Sequence, residues 1–427
     1  MALQDFSSQT TESRLYAWSL ANIGDDKRDG ARSASDPETI ESHDRQDLRI
    51  HVLGVGNIGR LYALCLARSA ARVPITLVVH RRELLQHWAS RPGIEIVRDG
   101  VHERITDFDI EWWTDHKPER GPVREPVSGG CIGNLIIATK ASEALPQVAR
   151  LLPYLDQSST VAFAQNGMCK LWPPLGDAFV KDCFPLGSSP SWLACVTTHG
   201  VTSLGPFTSL HASPAGVMVG TVASSRIRTS SSKFLSDQLC AAPGLEAVHL
   251  SERDLWIAQL EKLAVNVIIN PLTALLRCKN GEIFVNRGDN LPQLVELLLV
   301  EAVQVFQALI NDSSSESTIG TSQLGAGSGM HSRTALLDRF SLTTLSAMVY
   351  RVGEKVAENT SSMLQDVQAN KSTEIHDLNG WLIDTAKALP CSKLALPMHE
   401  EVIRLVVKGK QMSRAELCDH LVPLRPS

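Results

Sequence analysis

Lys262, Asn266 and Asn270 recur every four residues in EKLAVNVIIN (261–270), where nearly every other position is apolar. On a helix this spacing puts all three on one face, drifting by roughly 80° over eight residues. An ammonium there can give up a proton, and two amides can hold polar oxygens. Buried polar groups cost free energy unless they have partners. Something polar must therefore lie opposite the stripe, either a protein network or a substrate.

A second constellation lies near the start of the ordered chain. Gly54, Gly56 and Gly59 are spaced G-x-G-x-x-G, with Asn57 and Ile58 between them, after the apolar run LRIHVL and before a helical pattern ending near Ala70. In that context the first glycine permits a tight turn and the second lets backbone approach a pyrophosphate. The third packs helix on strand, and the helix N-terminus faces the negative charge. A dinucleotide site usually carries Asp or Glu after its second strand when it selects NAD. Here ITLVVH (75–80) runs into His80-Arg81-Arg82, and guanidinium groups suit a 2′-phosphate. The pattern points to NADPH.

The elements that must position these residues follow from periodicity. Apolar runs at 75–80, 134–139 and 160–164 alternate with helical patterns such as 142–152, which implies a parallel sheet covered on both faces. Residues 192–220 read as further, partly antiparallel strands closing the first domain. From about Ser251 the pattern becomes helical, over 251–277, 289–311, 333–358, 374–388 and 396–409. The chain thus divides into a largely disordered extension at 1–47, a nucleotide-binding domain at 48–250 and a helical domain at 251–427. Within the extension, only 11–24 has the pattern of a short helix. A flexible loop is expected at 311–332, where NDSSSESTIGTSQLGAGSGMHS has no periodicity.

With 427 residues, 43% hydrophobic and 20% charged, the chain has the composition of a soluble globular protein. A net charge of −5 gives no reason to expect nucleic acid or an anionic membrane surface as partner. No 18-residue apolar run predicts a membrane span. Nine scattered cysteines without a C-x-x-C pair argue for free thiols and against a zinc site. The first 47 residues carry ten acidic and five basic side chains and no apolar h-region, so neither a secretory signal nor an ordinary mitochondrial presequence is expected. Cytoplasm is the expected compartment, with the mitochondrial matrix as the alternative.

Taken together, the motifs resemble the ketopantoate reductase (2-dehydropantoate 2-reductase) family over roughly residues 48–410. The resemblance rests on the glycine turn with its arginine-bearing second strand, TKA at 139–141, QNGM at 165–168 and TTHG at 197–200. KLAVNVIINPLTAL (262–275) and SSMLQDVQANKSTEIHDLNG (361–380) complete it. It implies a Rossmann-type α/β domain followed by an all-helical domain like that of 6-phosphogluconate dehydrogenase. The implied reaction is NADPH-dependent reduction of 2-dehydropantoate to pantoate in coenzyme A biosynthesis. Carried over residue by residue, Lys262 is the general acid and Glu374 orients it or a substrate hydroxyl. Asn266 and Asn270 bind substrate oxygens and Ser362 the substrate carboxylate. Asn166 is expected between nicotinamide and substrate, and Lys140 contributes to holding cofactor or substrate. The polar face is then expected to line a cleft opposite the glycine turn.

Two other readings compete. A paralogue of the same fold would reduce another branched 2-oxo acid, and a non-catalytic NADPH-binding regulator would need only the nucleotide half. His199 and His211 read as strand or turn residues, and Asp366 as structural. The expected partners are a small 2-keto acid and NADPH, with no metal, and the protein is expected to be a monomer or a homodimer.

Overall fold

The computed structural model describes residues 14–24, 48–185, 188–222, 230–320, 332–390 and 394–424. They form two units, one of the described residues within 2–165 and 178–251 and the other of those within 166–177 and 252–427. The first holds the strands β1 (Tyr16–Trp18), β2 (Ile50–Leu53), β3 (Ile75–Val79), β4 (Ile94–Arg98), β5 (Val101–Ile105), β6 (Asp109–Thr114) and β7 (Asn134–Ile137). They are followed by β8 (Thr160–Phe163), β9 (Ser191–Thr197), β10 (Gly200–Gly205), β11 (Thr208–Ser213), β12 (Val217–Thr221) and β13 (Ala247–His249). Nine of them make one sheet in the order β1-β6-β3-β2-β7-β8-β9-β12-β13.

From β6 to β9 this sheet is parallel. Every residue of β2, β3, β7 and β8 is buried, as a sheet covered on both faces requires. The helices Asn57–Ala67, Arg82–Ser90 and Ala141–Arg150 are the crossovers between parallel strands. This is the Rossmann-type arrangement expected from the alternating pattern.

The segment 192–220 divides between two sheets. β9 and β12 pair antiparallel within the large one, whereas β10 and β11 join β4 and β5 in a second sheet ordered β10-β11-β4-β5. The expected short helix at 11–24 is corrected as well. Tyr16–Trp18 is a strand, paired antiparallel with β6, and only Leu20–Asn22 makes a helical turn. Tyr16, Ala17 and Trp18 alternate too briefly for a period to show, so β6 rather than local preference decides their conformation. The remaining residues of 1–47 lie outside the described residues.

In the second unit the helix Glu252–Leu276 is followed by Leu291–Asn311, Arg333–Arg339, Leu342–Lys355, Ser362–Gln368, Ile375–Ala388, Pro397–Val407 and Arg414–Leu421. The single pattern at 333–358 is two helices, because Phe340 is buried and Ser341 caps the second through Thr344 N–H. Part of the expected loop at 311–332 is helical: Asp312 caps the turn Ser313–Ser315, and Glu316–Ile319 follows with Ile319 buried. Residues 321–331 lie outside the described residues. Leu291–Asn311 is apolar and long enough to cross a membrane. Its Leu294, Leu298, Val305, Phe306 and Leu309 are instead buried, which accounts for that composition as core.

Pro271 sits inside Glu252–Leu276 and has no N–H for the carbonyl of Val267. Asn379, fully buried on Ile375–Ala388, donates to that carbonyl at 2.9 Å. Its amide also donates to Nδ1 of buried His399 at 2.9 Å, so the imidazole proton is on Nε2, which donates to the Leu298 carbonyl at 3.0 Å. Burial pushes the His399 pKa down to about 4 and keeps the ring neutral. Beside it, buried Glu301 accepts from the N–H groups of Met398 and His399, each at 3.1 Å, at the start of Pro397–Val407. Replacing Asn379 by Ala strips the Val267 carbonyl and the His399 ring of a partner. The expected loss is about 2–4 kcal/mol, read from urea denaturation. An unchanged midpoint would show that water takes over both bonds.

Candidate active site

The glycine turn joins β2 to Asn57–Ala67, and each glycine has a distinct reason. Gly54 has φ +95°, and a Cβ there would lie 2.8 Å from backbone atoms of Ala138 and Thr139. A Cβ on Gly59 would lie 2.1 Å from the Gly54 carbonyl oxygen, so the helix meets the turn backbone to backbone. At Gly56, the helix N-cap, a Cβ would meet nothing within 4 Å. That open side is the space a pyrophosphate needs. The N–H groups of Asn57, Ile58 and Gly59 precede the first helical bond, from Arg60 N–H to Gly56 O, and are the groups a helix start offers to an anion.

Two cations flank this turn. In the order β3-β2-β7, the strand on one side runs into Arg81 and that on the other into Lys140, each the N-cap of the following helix. Arg81 is exposed and Lys140 half-buried. The side chain of Asn57 is tied to the second sheet. It donates to the Val201 carbonyl at 3.3 Å and accepts from Ser209 Oγ at 3.1 Å, leaving its backbone N–H for a ligand. Arg60, buried and missed in the sequence, reinforces that tie by donating to the carbonyls of Val55, Gly205 and Thr208 at 2.8–3.0 Å. These residues fit a dinucleotide pyrophosphate.

The polar stripe belongs to the helical unit. Lys262 Nζ donates to Asn166 Oδ1 at 3.0 Å, and Asn166 Nδ2 donates to Glu374 Oε2 at 3.3 Å. The amide is thereby held with its oxygen toward the ammonium and its nitrogen toward the carboxylate. Lys262 keeps some exposure, yet burial pulls its pKa from 10.5 down to about 8, with the charge of Glu374 acting in the opposite direction. Asn266 is half-buried one turn along the helix, and Asn270 is buried one turn further. Ser361 rather than Ser362 joins this helix: its hydroxyl bonds Thr273 Oγ1 at 2.7 Å and caps Ser362–Gln368 through Leu364 N–H at 3.1 Å. Ser362 is exposed at the first position of that helix. Asp366 is half-buried on the same helix.

Four residues not singled out in the sequence hold the QNG turn against the two helices. Gln259, one turn before Lys262, donates to the Gly167 carbonyl at 3.5 Å and accepts from Trp172 Nε1. Asp377, one turn after Glu374, is buried and paired with Lys170 at 3.0 Å. Gly167 has φ +83°, and a Cβ there would sit 2.9 Å from the Asp377 carbonyl oxygen. The signal was present: Gln259 and Asp377 share the helix faces of Lys262 and Glu374.

His199 and His211 belong to the sheet unit. His199 Nδ1 accepts from Ala215 N–H and from His211 Nε2, both at 3.0 Å, and Arg98 donates to His211 Nδ1 at 2.7 Å. The TTHG segment therefore braces strands. Thr197 adds a 2.6 Å bond to Tyr62 on Asn57–Ala67.

Lys262 should lose its proton near pH 8, and Glu374→Gln, by removing a charge that favours the ammonium, should move the titration to lower pH. Competitive amine labelling of Lys262 across pH measures both. An upward shift in the variant would show that Glu374 does not act on Lys262 by its charge.

The ketopantoate reductase PanE/ApbA model matches residues 50–224, and its C-terminal counterpart matches 254–411. A ketoisovalerate reductase of Gibberella fujikuroi is 40% identical, covering 95% of this chain and 94% of its own. The ketoisovalerate reductase of Beauveria bassiana is 37% identical, covering 96% of each. A probable 2-dehydropantoate 2-reductase of Schizosaccharomyces pombe is 28% identical over 79% of this chain and 90% of its own. Among solved structures, D-mandelate dehydrogenase with NADH and anilino(oxo)acetate has the same fold, with a TM-score of 0.62 at 17% identity over 84% of this chain and 98% of that one. With both halves matched in order, the chain belongs to the ketopantoate reductase PanE/ApbA family.

Proposed function

We propose that the protein reduces a branched 2-oxo acid, with ketoisovalerate as the preferred substrate, to the 2-hydroxy acid using NADPH. The observation that carries the reductase reading is the ammonium of Lys262, bonded to Asn166 and lowered to a pKa of about 8. A proton donor works best when its pKa lies near the operating pH. The reduced nicotinamide, when bound, supplies the hydride. Lys262 holds the proton that the ketone oxygen takes as it becomes a hydroxyl. Asn266 and Asn270 hold substrate oxygens, Ser362 the carboxylate, and Asn166 with Glu374 orients the ammonium. Gly54, Gly56 and Gly59 hold the pyrophosphate, with Arg81 on the 2′-phosphate and Lys140 beside it.

The substrate preference follows the alternative of another branched 2-oxo acid rather than 2-dehydropantoate. It is supported by the ketoisovalerate reductases, which resemble this chain at 37–40% identity over nearly full length, whereas the probable 2-dehydropantoate 2-reductase of Schizosaccharomyces pombe does so at 28% over less of it. The two acids differ by one hydroxymethyl group. A pocket built to bond that hydroxyl would reject the acid lacking it by a factor on the order of 10⁴, while an apolar pocket discriminates by only about 10².

Following NADPH absorbance with both acids should give the higher kcat/KM for ketoisovalerate; the reverse order would restore 2-dehydropantoate. No oxidation with any 2-oxo acid would overturn the reductase reading. Lys262→Ala should lower kcat by roughly 10²–10⁴ with a smaller change in KM. Because reduction needs the ammonium, kcat should fall as pH rises through about 8, and a flat profile across that range would remove Lys262 as the acid. Arg81→Ala should weaken NADPH far more than NADH, and equal weakening would take the 2′-phosphate away from it.

A further inference from the structure

The strand β1 lies outside the part of the chain that the family model matches, which begins at residue 50. Its register gives it a specific place. Trp18 pairs with Trp112 on β6, and Trp112 pairs with Val79 on β3. The row Trp18–Trp112–Val79 crosses the sheet at the carboxyl end of β3, and ligands bind beyond the carboxyl ends of strands in open α/β sheets. Val79 is followed directly by His80, Arg81 and Arg82.

Trp18 is fixed there on three sides. Its Nε1 donates to the His116 carbonyl at 2.7 Å, and its ring packs on Trp112 with centroids 5.3 Å apart. The chain beyond it is clamped by Asn22, buried, which donates to the carbonyls of Arg120 and Pro122 at 2.7 and 3.0 Å. The guanidinium of Arg82 stands over the indole, 5.3 Å from the ring centroid.

Arg81 and Arg82 occupy the N-cap and first position of Arg82–Ser90. Two guanidinium groups at the positive end of a helix dipole are unfavourably placed unless an anion joins them, and Glu83 in the first turn offsets only part of this. A long side chain already held on an aromatic face has less freedom to lose when that anion arrives.

We propose that Arg82 binds the cofactor's 2′-phosphate beside Arg81, and that Trp18 is the positioning residue that holds Arg82 ready for it. The inference rests on the NADPH reading above. The N-terminal segment is then part of the cofactor-specificity apparatus rather than an inert extension.

Calorimetric titration of the full chain with adenosine 2′,5′-bisphosphate, and with adenosine 5′-monophosphate as control, tests it without turnover. Wild type should bind the bisphosphate more tightly. Arg82→Ala should weaken the bisphosphate selectively, and Trp18→Leu should do so by roughly two- to fivefold, with the monophosphate unchanged. Trp18→Phe, which keeps a ring face, should retain most of the affinity. Adding Trp18→Leu to Arg82→Ala should produce no further loss. If Arg82→Ala leaves the bisphosphate unaffected, or Trp18→Leu weakens both ligands equally, the inference falls while NADPH preference stands. If wild type does not distinguish the two ligands, the NADPH reading falls and takes this one with it.

Discussion

An ammonium set into an apolar helix governs the architecture of the helical unit. Lys262 stands among Leu263, Ala264 and Val267, all fully buried, and a charge in such surroundings persists only with polar partners. Those partners come from far along the chain, Asn166 from 96 residues before it and, through Asn166, Glu374. This explains why Asn166–Asp177 packs with the helices rather than with the sheet that precedes it in sequence. Gln259 and Asp377 then hold the turn from either side, so one polar requirement orders three segments.

The same helix creates a second requirement one turn beyond Asn266. Pro271 frees a carbonyl, Asn379 satisfies it, His399 orients Asn379, and Glu301 fixes the helix that carries His399. A buried polar chain of this kind makes the arrangement of helices specific, because alternative packing leaves several more buried groups unbonded. The asparagines of the stripe are not needed for the proline.

Much of this was legible in the sequence. The buried parallel strands announced themselves as continuous apolar runs, the glycine turn by its position between strand and helix, and the stripe by its four-residue period. The fold class followed from these, and the family from the resemblance of separated motifs, above all KLAVNVIINPLTAL and SSMLQDVQANKSTEIHDLNG. Pairing between distant segments was not legible: nothing local says that β11 lies beside β4 or that Tyr16–Trp18 is a strand, since three residues carry no period and their conformation comes from β6. Arg60 looked like one more basic residue on a helix, yet it is buried on backbone carbonyls that only the second sheet brings near. Substrate identity was illegible for another reason: an ammonium and amides are suited to oxygens that all 2-oxo acids share and say nothing of the side chain.

The two borders of the large sheet, β1 and β13, are each three residues long among the described residues. A full-length β6 left at the margin would present a row of unpaired N–H and C=O groups, a template on which another chain could grow a strand. Closing that margin with Tyr16–Trp18 leaves so short a ledge that edge-to-edge stacking finds little to hold. Pairing with Tyr16–Trp18 thus withdraws the backbone groups of Trp112–Thr114 from any strand another chain could offer.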